Sequence, residues 1–445
     1  MLEGARTAHP GQGAGILGRD LRERAPLLRQ AWFLWPLGLR LLSWLFLAHA
    51  YEMAVFQDVS WRMVGGEGVY ARFSVWLASV GDGYYAYPPL YAYMLWVSGR
   101  LAAFWGGHWW LHQLLIKAWL VLAEVSVMVF LQRVRPLAAR AYWCSWFVPL
   151  VAIGQVQPDL WVGLSVVLAL HSALRQRWVA VGLLLAAGGG LKLVPLIILP
   201  FLAIHLIQVR NWRAVMRVGA GLVVGTAITW LPYVTLFDDA GSFVEVVRFY
   251  GTRPVAGLNI LSGLSLLVNA ARGAAALFAH PLPWVEATSS LLQRLGLAYP
   301  LVTLGAFVVL LITAAVQRWP LWRVFCLPLL MFLLTNKVVH EHYLLQVLPL
   351  FLFLGTEYRG LAIAYVAYLL AAGTPLRFFP KEFGLPSTVD ALLPASLQPT
   401  LGAGITIALM LVAGLAALAF SWQVLKLVRV SVGKPLLEAD PSPAT

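Results

Sequence analysis

The chain has 445 residues, of which 60% are hydrophobic and only 11% charged, against about 25% charged in ordinary soluble domains. So little polar surface excludes a water-soluble globule and makes lipid the solvent. The net charge of +13 is then read as orientation and contact with anionic headgroups rather than nucleic-acid binding.

The first 30 residues are polar, with arginines at 19, 22, 24 and 29 and no early apolar core. They predict a cytoplasmic tail without a cleavable signal. Apolar runs follow at 31–50, 111–132, 142–155, 159–174, 178–190, 192–209, 214–236, 298–316, 319–335, 343–356, 358–372 and 401–425. The stretch 89–104 is also apolar. If it does not cross, twelve spans result and both termini face the cytoplasm. Nineteen Lys and Arg then fall in short segments and tails on that side, and eleven in the outer segments, which satisfies the positive-inside rule. The run 89–104 is therefore read as a helix lying along the outer interface. The expected fold is an all-α polytopic bundle. Residues 31–425 form its single transmembrane domain, between the tail 1–30 and a cytoplasmic tail 426–445. Long outer loops are expected at 51–110, 237–297 and 373–400, and long loops in compact proteins usually carry function. Cys144 and Cys326 sit in apolar runs and read as small core residues.

Polar residues gather at the outer ends of the runs. Asp58 lies about eight residues beyond the first span. Tyr84, Tyr85 and Tyr87 precede Pro88-Pro89, a pair that cannot continue a helix and so starts one. Lys117 and Glu124 lie seven apart on one helix face and read as an ion pair inside the bundle. Gln155, Gln157 and Asp159 occupy one outer turn, Lys192 another, and Arg248 and Arg253 the second long loop. Lys337, His340, Glu341, His342 and Tyr343 follow in the turn TNKVVHEHYLLQVLP. Glu67, Asp82, Asp238 and Asp239 read as solvated loop acids. Charged residues near the membrane core are costly and commonly mark a site or pathway. One acid among several cations suits an anionic lipid phosphate held by Arg and Lys, with a carboxylate as general base toward a hydroxyl. That layout fits sugar transfer from a lipid-linked phosphosugar. A lipid or polysaccharide transporter is the alternative. It would be expected to show internal repeats and broken helices at the midplane, and no convincing repeat is present.

Four segments carry a family resemblance: Asp58 with Gly66-Glu67-Gly68-Val69-Tyr70, Tyr87-Pro88-Pro89-Leu90, the span LLIKAWLVLAEVSVMVFL with Lys117 and Glu124, and NKVVHEHYLLQVLP. Together they resemble the GT-C superfamily of membrane glycosyltransferases. The likeness is greatest to polyprenol-phosphate-mannose-dependent mannosyltransferases and enzymes like GPI mannosyltransferase I. The resemblance implies a GT-C-like bundle with interfacial helices in the first outer loop, set in the plasma membrane with its active site extracytoplasmic. It implies inverting transfer of a hexose, mannose in the nearest relatives, from a polyprenyl-phosphate sugar to a glycan, lipid or protein hydroxyl, among membrane lipids. Asp58 would be the general base. Arg253, Lys337, Arg248 and Lys192 would hold the phosphate, and Tyr87, Gln157, Asp159, His340, His342 and Tyr343 would bind substrate. Asp58 is followed by Val59 and Ser60, so the D-x-D form of some relatives is absent. No cofactor is assigned, and a divalent metal is left open.

Overall fold

The computed structural model describes residues 31–70, 73–74, 82–83, 85, 87–237, 239–244, 246, 248, 256–277, 282–336, 338–355, 359–371 and 403–433. The chain is helical throughout these, apart from two two-residue ladders. In lipid this follows from the backbone: every N–H and C=O must be satisfied within the segment.

Helix α1 (Ala31–Phe46) bends by 65° into α2 (Ala50–Val64). A short antiparallel ladder, β1 (Phe73–Ser74) with β2 (Asp82–Gly83), precedes α3 (Pro89–Phe104). Pro88 is the extended cap of α3 and Pro89 its first residue, where a missing N–H costs nothing. Then come α4 (Trp109–Val134), α5 (Pro136–Trp143) and α6 (Phe147–Gly154), the last two bent by 62°. The run 142–155 is thus a broken pair of helices, with a π-helical turn over Leu150–Gly154. Next are α7 (Asp159–Leu174), α8 (Trp178–Leu191), α9 (Val194–Gln208) and α10 (Trp212–Leu236). They are followed by α11 (Ile260–Leu277), α12 (Pro283–Gln317), α13 (Leu321–Thr335), α14 (Leu344–Leu354), α15 (Arg359–Ala371) and α16 (Ala403–Gly433).

Five helices, α4, α10, α11, α12 and α16, are long and apolar enough to cross a bilayer, and seven spans result if each bent pair counts as one. The chain is a membrane protein on this ground. Helices α7, α8, α9, α13, α14 and α15 are apolar but have only 10–17 residues, and α7, α13 and α14 are buried along most of their length. Helices α8 and α10 meet along a seam of small residues: a side-chain carbon on Gly221 would strike the backbone of Val179, and one on Gly182 that of Val218. Such small-residue contacts let backbones approach where no hydrophobic effect drives helices together.

The segment 237–297, expected as a loop, is largely helical. Helix α11 lies within it, and α12 starts at Pro283 rather than near 298. At 35 residues, α12 is about 52 Å long. Tyr299 Oη donates to Leu334 O at 3.3 Å and Thr303 to Thr335 O, which sets residues 299–303 level with the end of α13. Residues 283–298 therefore run about 24 Å past that end. Helix α11 packs antiparallel to α16, Gly263 against Gly414 and Gly273 against Ile407. Arg272 of α11 makes a bidentate pair with Glu286 of α12 at 2.9 and 3.1 Å.

The expected Lys117–Glu124 pair does not form. Glu124 accepts from Arg40 of α1, whose guanidinium also donates to Pro36 O (3.1 Å) and Trp143 O (2.9 Å) and stacks 3.9 Å from the Trp143 ring. Lys117 donates to Leu47 O at 3.3 Å, satisfying a carbonyl at the end of α1. Seven residues separate Lys117 and Glu124 by about 10 Å along the axis, too far for an ion pair. Asp239 is not solvated either. Its carboxylate accepts from Tyr70 N (2.6 Å) and Tyr233 Oη (2.7 Å), and Tyr233 Oη in turn accepts from Val69 N (2.8 Å). This pins the Gly66–Tyr70 turn to the end of α10. Asp238 lies outside the described residues.

Candidate functional site

One end of the bundle collects the starts of α2, α3, α7 and α14 and the finish of α8. His49 N donates to Gly154 O at 2.7 Å, tying the α1–α2 bend to the end of α6. Tyr91 Oη of α3 donates to Val156 O at 3.3 Å, and Leu90 packs on Gly190 of α8. Val156 is fully buried with φ +57°. A β-branched residue in that region is strained by roughly 1–3 kcal/mol and is kept only where the surroundings enforce it. Its neighbours Gln155 and Gln157 are both buried and both point into the same cluster.

At the centre is Asp159, wholly buried in the first turn of α7, where the helix dipole favours an anion. Its Oδ1 accepts from Lys192 Nζ at 3.0 Å and from the Gln346 amide. Its Oδ2 stands 4.0 Å from His342 Nε2 and accepts no hydrogen bond from a described residue. His342 Nδ1 shares a hydrogen bond with Gln155 Oε1 at 3.2 Å. Tyr87 Oη donates to Gln157 Oε1. Lys192 Nζ lies 3.8 Å from the centre of the Tyr343 ring and 5.9 Å from that of Tyr87, in reach of cation–π attraction. The His340 and His342 rings stack at 5.3 Å. Lys192, Gln346 and Tyr87 thus each donate to a fixed acceptor inside the cluster, as members of a buried polar network must.

Of the residues singled out in the sequence, the structure brings together Tyr87, Gln157, Asp159, Lys192, His340, His342 and Tyr343. Arg253 and Lys337 lie outside the described residues. Arg248 is exposed in the second long segment. The parallel ladder of β3 (Ala256–Gly257) with β4 (Val338–Val339) carries that segment to the His340–Tyr343 turn. Gly257 serves there at φ +89°, with the Val339 carbonyl where a side chain would sit.

Asp58 is placed apart from the cluster. It sits on α2 with its side chain 47% exposed and its Oδ2 3.0 Å from Arg62 Nε, one helical turn on. Partial burial raises its carboxyl above the usual range, against the opposing pull of Arg62. Two residues on, Ser60 Oγ donates to Leu95 O (2.6 Å) and bonds His112 Nε2 (2.8 Å), locking α2 onto α3 and α4.

Two members of the site escaped the sequence reading. Gln346 follows His342 by four residues and so shares its face entering α14, a spacing that could have found it. Glu52 is the first acid after α1. It starts α2, its N–H donates to His49 Nδ1 at 3.4 Å, and it lies within electrostatic range of Lys192 and the Tyr91 hydroxyl. Six residues separate it from Asp58, so the two acids point about 120° apart around the helix. No group of three or more metal-ligating side chains comes together among the described residues. Compared with protein-family models and with curated proteins, the chain matches none.

Proposed function

We propose that the chain is a GT-C-type integral-membrane glycosyltransferase that moves a hexose from a polyprenyl-phosphate donor to an acceptor hydroxyl on the extracytoplasmic face. The reading takes the six short apolar helices as partial or tilted spans, giving about twelve crossings with both termini cytoplasmic. The observation that carries it is a cation, Lys192, held by the buried Asp159 at the end of the bundle where four helices begin, with an acid, Glu52, within its electrostatic range at the start of α2. A general base and a phosphate-holding cation are the two groups that inverting transfer from a lipid phosphate requires.

In this reading Glu52 takes the proton from the acceptor hydroxyl as its oxygen attacks the anomeric carbon. The bond from that carbon to the phosphate oxygen breaks, and the phosphate leaves with the electron pair. Lys192, oriented by Asp159 and Gln346, offers charge to the phosphate as it departs. His342, Gln157 and Tyr87 line the polar wall against which sugar hydroxyls hydrogen-bond. Asp58 points about a third of a turn away from Glu52 around α2 and holds Arg62.

The test uses membranes supplied with a radiolabelled polyprenyl-phosphate hexose. Glu52→Gln is expected to lower transfer by about 10²–10⁴-fold, the range of a lost general base, with unchanged expression. Asp58→Asn is expected to keep transfer within roughly tenfold of wild type. Loss in Asp58→Asn with retention in Glu52→Gln would return the base to Asp58. No transfer by the wild-type chain from any such donor would reject the activity itself.

A further inference from the structure

The opposite end of the bundle carries a second charged feature, and it stands independently of the glycosyltransferase reading. Helix α9 ends in a turn whose left-handed residue is Arg210 (φ +55°), and α12 ends on Arg318 (φ +50°). Glycine is the usual residue in that conformation, because a side chain is strained there. The first turn is otherwise a regular cap: Arg210 N donates to Ile207 O and Asn211 N to Leu206 O, both at 2.9 Å. The two turns are fastened side by side. Gln208 Nε2 donates to Ala314 O at 3.2 Å and also to Ala315 O, and the His205 ring bonds Trp319 O at 2.8 Å.

Arg213 and Arg217 follow on the first two turns of α10 and are exposed, as are Arg210 and Arg318. The N-terminus of α10, with its positive dipole end, opens into the same place. No acid offsets this charge along the local chain: there is no Asp or Glu between Asp159 and Asp238, nor between Glu286 and Glu341. Beside the arginines stand Val209, Met216 and Val316, exposed by 56, 74 and 76%. They continue into the exposed apolar faces of α10 and α12, where Val223 and Val309 are 69 and 64% exposed. Phosphate-binding groups thus sit directly at the head of a surface suited to acyl chains.

We propose that the paired turns around Arg210 and Arg318 bind the phosphate headgroup of an anionic phospholipid, with its chains lying along α10 and α12. The surface fits a lipid rather than a free phosphate because charge and apolar area are contiguous. A cap alone is better served by glycine, whereas headgroup binding needs the guanidinium.

The experiment uses the full chain in neutral detergent and follows thermal unfolding with added phosphatidylglycerol, phosphatidylcholine or inorganic phosphate. Phosphatidylglycerol is expected to raise the Tm of wild type, and the other two to leave it unchanged. The double variant Arg210→Gly/Arg318→Gly is expected to unfold at the wild-type temperature or above without lipid, and to bind phosphatidylglycerol roughly tenfold or more weaker. Arg210→Lys/Arg318→Lys is expected to keep most of the response. Should the glycine variant fail to fold, Arg213→Gln/Arg217→Gln, on the surface of α10 and outside both caps, carries the same test and must weaken the lipid response. A glycine or glutamine variant that responds as wild type does, or a wild type that responds equally to phosphatidylcholine, overturns the proposal. An equal response to inorganic phosphate overturns the lipid assignment.

Discussion

At the scale of single residues, the two acids of α2 show what position alone conceals. Asp58 is the more conspicuous in the sequence; on α2 it pairs with Arg62, while Glu52 starts the same helix within electrostatic range of Lys192. The raised carboxyl of Asp58 has a stability consequence. A raised folded value means the native state holds the proton better than the unfolded chain. Its contribution is therefore full below the ordinary 3.8 and is lost as pH rises through the folded value. Asp58→Asn, neutral throughout, escapes that loss. The Tm of the variant relative to wild type is expected to be higher near pH 7 than near pH 4, the window set by linkage, in a detergent melting series. A flat difference would contradict the burial described for Asp58. Gly68 offers a second test. A side chain there would occupy the place of the Asp239 carboxylate, so Gly68→Ala is expected to cost about 1–3 kcal/mol, the usual cost of overpacking, read as a lowered Tm. Most of the cluster was legible as polar residues embedded in apolar sequence: Asp159, Lys192, His342 and Tyr343 stood out for that reason. Glu52 is flanked by Ala50-Tyr51 and Met53-Ala54 and carries the same mark, but it lies just past the first apolar run, and only the bend after α1 places it at the start of α2.

Helices as units were legible through their apolar runs, and their partners were not. The seven-residue spacing of Lys117 and Glu124 correctly puts them on one face of α4. It says nothing of depth along the axis, and the true partner, Arg40, comes from 84 residues away. That pair joins α1, α4 and α5 through Trp143. Both side chains are almost wholly buried, at 2 and 0% exposure. Removing one partner leaves a charge in a low-dielectric interior, so Glu124→Leu or Arg40→Met alone is expected to destabilise by about 3–5 kcal/mol. Replacing both removes the stranded charge, so Arg40→Met/Glu124→Leu is expected to recover most of the loss. Thermal unfolding of the three variants measures this, and a double variant no more stable than the singles would show that the pair does more than neutralise itself. The bend at α5–α6 was hidden for a related reason: apolar composition continues straight through it, and a π-helical turn leaves no mark on hydropathy.

Over the whole molecule, charge asymmetry predicted two unlike ends, and the structure shows them built differently. One gathers helix starts around Asp159 and Lys192, and the other gathers arginine-capped turns. The hydropathy reading stopped short at 237–297, because Ser262, Ser265, Asn269 and Arg272 interrupt the apolar run of α11 and make it read as loop. There α11, the first half of α12 and the start of α16 pack together instead. Helix α11 is itself long and apolar enough to cross, which would invert every later segment. Its packing favours the other arrangement: its start lies against Gly414 and Leu418, well inside α16, and Gly273 lies against Ile407 near the beginning of α16, so it runs outward beside a helix end. The projecting part of α12 then belongs to the same face as the Asp159 cluster. In a chain with Cys144 and Cys326 replaced by serine, Ser290→Cys is expected to react with an impermeant maleimide on intact cells. Arg177→Cys, in the turn after α7, is expected to react only after permeabilisation. If Ser290→Cys stayed unlabelled until the membrane was opened, α11 would have to be a crossing helix, and the twelve-span arrangement with both termini cytoplasmic would fall with it.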